Sequence, residues 1–219
     1  MIALVYIAKT SGYVHEVKVN LGLVERPQSP DYWAIKGREN TIQKLDYNAD
    51  IVFFGNSITY YGNFKKAFPD KKIVNLGYPG DRIDNMVRRV ETVKAVRPKK
   101  IFLMAGINGL RNMDLNNFTM KYSFLVDSIK KAVPNAEIFL QSILPINTSR
   151  IPDYSSNEKI ANANKEIKRI SKMKECKYID LFSIYISNNE MPIELTVDGI
   201  HLKDTAYQRW YNDIKASIY

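Results

Sequence analysis

The chain has 219 residues, 45% of them hydrophobic and 25% charged, with a formal net charge of +9. That profile fits one globular domain with a sizeable core and excludes a disulfide-stapled scaffold, since Cys176 has no second cysteine to pair with. Two histidines and one cysteine, far apart in sequence, speak against a zinc site, and no run approaches the ~18 apolar residues of a membrane-spanning helix. The lysines are scattered in pairs, and the longest basic cluster, Lys165 to Lys177, is interrupted by Glu166 and Glu175. The expectation is a solvated basic surface and no nucleic-acid partner.

Residues 1–8 are apolar but short, without a basic start or a clear cleavage site. They read either as the remnant of a signal or membrane anchor whose start lies upstream or as a first strand. As the sequence stands, the chain reads as cytoplasmic; the remnant reading makes it extracytoplasmic. Residues 17–21 alternate like a strand, 27–30 form a loop, and 32–45 suggest a helix packing Trp33 and Ile35 inward. Residues 1–48 are therefore expected to form an N-terminal extension packed on the body, and 49–219 the main domain.

From residue 49 onward, short apolar runs alternate with longer amphipathic stretches. Strands are predicted at 49–54, 72–76, 101–104, 137–141 and 178–181. Between them, Ile83, Met86, Val87, Val90 and Val93 recur at helical spacing, as do Leu115, Phe118, Tyr122, Leu125, Val126 and Ile129. Ser156 with Lys159 opens a further helix, and 205–218 reads as the last. Strand–helix alternation with short loops predicts an α/β fold, a mainly parallel five-stranded sheet with helices on both faces. In such sheets, ligands sit outside the C-terminal strand ends. Ser57, the turn from Gly77 to Asp81, and the segment from Gly106 to Asn108 each follow a predicted strand, so all three fall on one edge.

These segments carry groups suited to acyl transfer. Ser57 follows Gly55 and Asn56 at the first strand end; a serine hydroxyl needs a base and a group that orients the base. His201 is the leading base, with Asp198 three residues before it in a loop, close enough to fold back onto one ring nitrogen. A glycine N–H in the turn ending Gly80-Asp81 and the side-chain amide of Asn108 are candidate donors to a developing oxyanion. Each segment also has a plainer reading: Ser57, Asp81 and Asp198 as caps, Asn108 as a turn residue. Tyr60, Tyr61 and Tyr78 flank the site as a platform for a sugar or acyl group, or as packing residues.

The order Gly55-Asn56-Ser57, Gly80-Asp81, Gly106-Ile107-Asn108 and Asp198-Gly199-Ile200-His201 resembles the four blocks of the SGNH hydrolases, the GDSL-type esterases and lipases, across roughly residues 49–216. The resemblance implies a three-layer α/β/α sandwich of flavodoxin-like type. It also implies Ser57 as nucleophile, His201 as base and Asp198 as its orienting group. The Ser57 and Gly80 N–H groups and the Asn108 amide would form the oxyanion hole. Asn56 and Gly109 stand where the family has aspartates, which suggests a tuned site and a less braced Asn108. The implied activity is hydrolysis of a small-molecule ester, with short acyl groups on a carbohydrate or similar alcohol favoured by short loops and no inserted lid. A lipid-acting acylhydrolase and an inactive binding module are the alternatives. No metal or organic cofactor is implied.

Overall fold

A computed structural model describes residues 47–219. The strand expected at 17–21, the helix at 32–45 and nearly all of the N-terminal extension lie outside the described residues. Five strands form the sheet: β1 (Ile51–Gly55), β2 (Ile73–Gly77), β3 (Lys100–Met104), β4 (Glu137–Gln141) and β5 (Lys177–Ile179). Their order is β2-β1-β3-β4-β5, and every neighbouring pair is parallel. Each predicted strand is present: β4 has the predicted bounds, and the ends of the others move by at most two residues.

The inner strand β1 is buried on both faces, as expected where helices cover a parallel sheet. Its side chains alternate between two cores. Val52 and Phe54 join the core under α3 (Ile83–Arg88), α4 (Val90–Ala95), α6 (Leu115–Ala132) and α7 (Asn157–Met173). Ile51 and Phe53 join the opposite core, with Phe64 of α2 (Phe64–Ala67), Tyr185 of α8 (Phe182–Tyr185) and Trp210 of α9 (Asp204–Ile218). This is the three-layer sandwich. On that second face Phe53 stacks on Phe64 and Phe102 stacks on Phe139, while Trp210 donates to Gln141 at 2.7 Å. Among the described residues no helix is long and apolar enough to cross a membrane.

Two local features prepare the site. The single helix suggested by Ile83 to Val93 is broken into α3 and α4 at Arg89, whose backbone leaves the helical well at φ −109°, ψ 17°. After β4, Ser142 N still bonds the Ile179 carbonyl at 2.9 Å, but the stretch 143–147 runs beyond the strand ladder. Two buried asparagines of α7 replace the missing ladder: Asn164 bonds both main-chain groups of Ile143, and Asn157 both of Ile146, each at 2.8 Å. Ser156 caps α7 by accepting from Lys159 N at 3.1 Å, as its spacing predicts.

Candidate active site

β1 runs directly into α1 (Ser57–Tyr61) through Asn56. The cap is Asn56, whose side-chain oxygen accepts from Ile58 N at 2.9 Å, so the Ser57 hydroxyl is not consumed in capping. An amide oxygen does this as a carboxylate would. Gly55 is required here for space: a Cβ would lie 2.1 Å from Thr59 Oγ1 and 2.8 Å from the Met104 carbonyl oxygen. α1 therefore folds tightly over the strand end and holds Ser57 at the sheet edge, 7% exposed.

The C-terminal loop is tied by its own hydrogen bonds. Thr196 Oγ1 accepts from Gly199 N and donates to the His201 carbonyl, at 2.9 and 2.8 Å. Gly199, at φ +106°, gives its carbonyl to Asn147 N at 2.9 Å. Asp198 Oδ1 accepts from the backbone N–H groups of Ile200 and His201, so the carboxylate closes a turn. Its Oδ2 lies 2.6 Å from His201 Nδ1, and His201 Nε2 lies 2.9 Å from Ser57 Oγ. With Asp198 ionised, Nδ1 carries the proton and Nε2 is left to accept from the serine hydroxyl. Burial pushes the Asp198 carboxyl up, but the bonds from the His201 ring and the two backbone N–H groups outweigh it, and its pKa falls below the ordinary carboxylate value.

Gly80 and Asn108 reach the same edge. Gly80 sits at φ +71° after β2, and no acceptor among the described residues takes its N–H. Asn108 lies in α5 (Ile107–Leu110), directly after β3 and in no left-handed turn. One of its amide hydrogens goes to the Asp81 carbonyl at 2.8 Å, which leaves the other for a ligand. Its oxygen accepts from Tyr154 Oη at 2.9 Å. The expectation that Gly109 leaves Asn108 less braced is thereby corrected: a tyrosine from a distant loop supplies the polar partner. Tyr154 carried no sequence signal, because it lies 46 residues downstream.

Asp81 also departs from its plainer reading as a cap. Its carboxylate pairs with Arg89, and α3 has Arg82 at its N-cap position with no side-chain cap bond. Burial raises the Asp81 carboxyl above its ordinary value, and the charge and hydrogen bond of Arg89 offset part of that rise. The three tyrosines separate. Tyr60 and Tyr61 are exposed, and the Tyr61 ring meets that of His201 edge-on at 5.7 Å. Tyr78 is only 1% exposed, with the Arg89 guanidinium over its ring, so it packs inside and is withdrawn as a substrate platform. Cys176 lies away from this site beside Lys174, and burial pushes its thiol up, away from the range of a nucleophile. No cluster of three or more His, Cys, Asp or Glu side chains that could hold a metal ion occurs among the described residues.

The model of the GDSL-like lipase/acylhydrolase family matches residues 53–209. Among solved structures, a Streptococcus pneumonia protein provisionally described as a platelet activating factor is 25% identical, with 94% of this chain and 99% of that chain covered and a TM-score of 0.80. A GDSL-like lipase from Bacteroides thetaiotaomicron is 19% identical over 84% of this chain and 96% of its own, with a TM-score of 0.74. An acetyl-xylooligosaccharide esterase from Geobacillus stearmophilus is 18% identical over 80% and 96%, with a TM-score of 0.62. Comparison with curated protein sequences gives no match. The chain belongs to the GDSL-like lipase/acylhydrolase family of the SGNH superfamily, and as such is a hydrolase acting on ester bonds.

Proposed function

We propose that the protein is a serine esterase that works through an acyl-enzyme on short acyl groups, acetyl-like, carried by a carbohydrate or similar alcohol. The observation that carries this reading is the continuous contact Asp198–His201–Ser57, at 2.6 and 2.9 Å. Ser57 Oγ attacks the ester carbonyl while His201 Nε2 takes its proton. The tetrahedral oxyanion is held by the Ser57 and Gly80 N–H groups and the Asn108 amide. His201 returns the proton to the departing alcohol. Water then adds to the acyl-enzyme with the same base, and the acid leaves with Ser57 restored.

The short-acyl reading is supported by the strand ends: β1 and β3 pass into helices within one or two residues, and among the described residues no long segment intervenes there. Exposed Tyr60 and Tyr61 suit the faces of a sugar. Neighbours of the same fold include an acetyl xylan esterase and the acetyl-xylooligosaccharide esterase. One observation favours a second reading, a lipid-acting acylhydrolase: Val197, 57% exposed, stands beside Asp198 on the rim.

A panel of p-nitrophenyl esters of increasing acyl length separates the two. Acetyl and butyryl esters are expected to give the higher kcat/KM; a maximum at acyl chains of about ten carbons or more would favour the lipid reading. Ser57→Ala is expected to abolish turnover with the fold intact. A fluorophosphonate is expected to label Ser57 and to fail in His201→Ala. No turnover and no labelling of the wild type would leave an inactive binding module.

A further inference from the structure

Arg89 is buried, 6% exposed, and its guanidinium binds three separate segments at once. Nε donates to Asp81 Oδ2 at 2.6 Å, Nη1 to the Leu76 carbonyl at 2.9 Å, and Nη2 to the Gly55 carbonyl at 3.0 Å. The guanidinium carbon lies 4.5 Å from the Phe54 ring centroid and 4.1 Å from that of Tyr78. A planar fork against aromatic rings, aimed at two carbonyls and a carboxylate, is a geometry only arginine provides.

The places it grips matter. Gly55 is two residues before Ser57. Leu76 is the next-to-last residue of β2, just ahead of the glycine turn. Asp81 adjoins Gly80, and its carbonyl accepts from Asn108. Every candidate oxyanion donor is thus within two residues, or one hydrogen bond, of an atom or segment bound by one buried cation. Tyr78 N also donates to the Gly55 carbonyl at 3.1 Å, which closes β1 and β2 around the same point.

We propose that Arg89, paired with Asp81, is a positioning residue for the oxyanion hole: it sets the spacing between the Ser57 and Gly80 N–H groups and the Asn108 amide. The proposal rests on the serine-esterase reading above. Arg89 itself touches no reacting atom. Its effect appears only as the charge on the carbonyl oxygen develops, so it acts on kcat and hardly on KM.

The test uses the full chain with p-nitrophenyl acetate. Arg89→Lys keeps the charge but loses the fork; Asp81→Asn keeps an acceptor but loses the charge. Displacing a catalytic group by about 1 Å can cost ~10²-fold, so kcat is expected to fall roughly 10- to 100-fold in Arg89→Lys with KM within about twofold. Asp81→Asn is expected to lose less, in the same direction. Combining each with Asn108→Ala distinguishes positioning from general destabilisation. If Arg89 acts through the hole, its effect on kcat shrinks once Asn108 is gone; a purely structural effect would multiply independently. Thermal unfolding checks that each variant is folded, and Asp81→Asn decides the matter if Arg89→Lys is not. A folded variant with kcat within twofold of wild type, or full multiplicativity with Asn108→Ala, overturns the proposal. An inactive wild type instead overturns the serine-esterase reading on which it rests.

Discussion

Ser57 and His201 meet at 2.9 Å, yet they come from regions built in opposite ways. The Ser57 side is interior: a buried strand, a helix folded tightly over its end, and carbonyls gathered on a buried arginine. The His201 side is a surface loop, with Asp198 and His201 side chains 52% and 32% exposed. Ile200 packs against both cores and Leu202 joins the second, but the Asp198 and His201 side chains themselves stay outside them. The loop's shape comes from backbone bonds through Thr196 and Asn147, a brace from Arg150 Nη1 to the Val197 carbonyl, and one glycine in the left-handed region. The contrast teaches where precision comes from in each half. On the interior side, burial makes each polar contact costly to lose. On the loop side, water screens the charges of Asp198 and His201, and order comes from weak local bonds added to the anchorage of Ile200 and Leu202.

The comparison can be broken first at the loop. Asp198→Asn puts an amide against Nδ1 and permits the wrong histidine tautomer. A loss in kcat on the order of 10⁴ is expected for an arrangement of this kind. Steady-state kinetics on a short ester measures it; a loss under tenfold would mean that the backbone alone orients His201.

On the interior side, Asn108→Ala is expected to lower kcat by ~10²–10³ with KM nearly unchanged, as for removal of one oxyanion donor. Tyr154→Phe removes only its brace and should cost several-fold less. An unaltered kcat in Asn108→Ala would reduce the hole to the two backbone groups and leave Asn108 as a tie to Asp81.

Gly199→Ala sharpens the contrast through stability. At φ +106° any side chain is strained, and the new Cβ would meet Ile151 Cγ1 at 3.0 Å and the Asn147 carbonyl oxygen at 3.2 Å. A cost of about 1–3 kcal/mol in thermal or denaturant unfolding is expected, together with weaker labelling of Ser57. Wild-type stability would show that the loop relaxes without disturbing the site.

The smallest effect is a pH dependence. In the folded protein, hydrogen bonds from the His201 ring and two backbone N–H groups outweigh burial and hold the Asp198 carboxyl below its ordinary value. Its contribution to stability is therefore complete above the unfolded value and disappears as pH falls through the lower folded one. The Tm difference between wild type and Asp198→Asn should be small at about pH 7 and shrink further at about pH 3. A difference that grows on acidification would reverse the assigned sign.

Alternating apolar runs determined the five strands and their helices. The spacing within the terminal loop was enough to find Asp198 and His201, because only two intervening residues confine a carboxylate to the neighbourhood of the ring. Motif order also placed Ser57, Gly80 and Asn108 on one edge, since residues that follow parallel strands share an end of the sheet. Periodicity went wrong at Arg89. Its neighbours Met86, Val90 and Val93 are spaced for one helix, and nothing local announces that the arginine turns inward to carbonyls up to 34 residues away. Tyr78 and Tyr61 look alike in sequence, yet one is sealed under a guanidinium and the other stands in solvent beside the base. Local pattern encodes which face a residue occupies within its own element. Which buried charge a chain end grips, and which tyrosine braces Asn108, depends on contacts between segments that meet only once the sheet has closed.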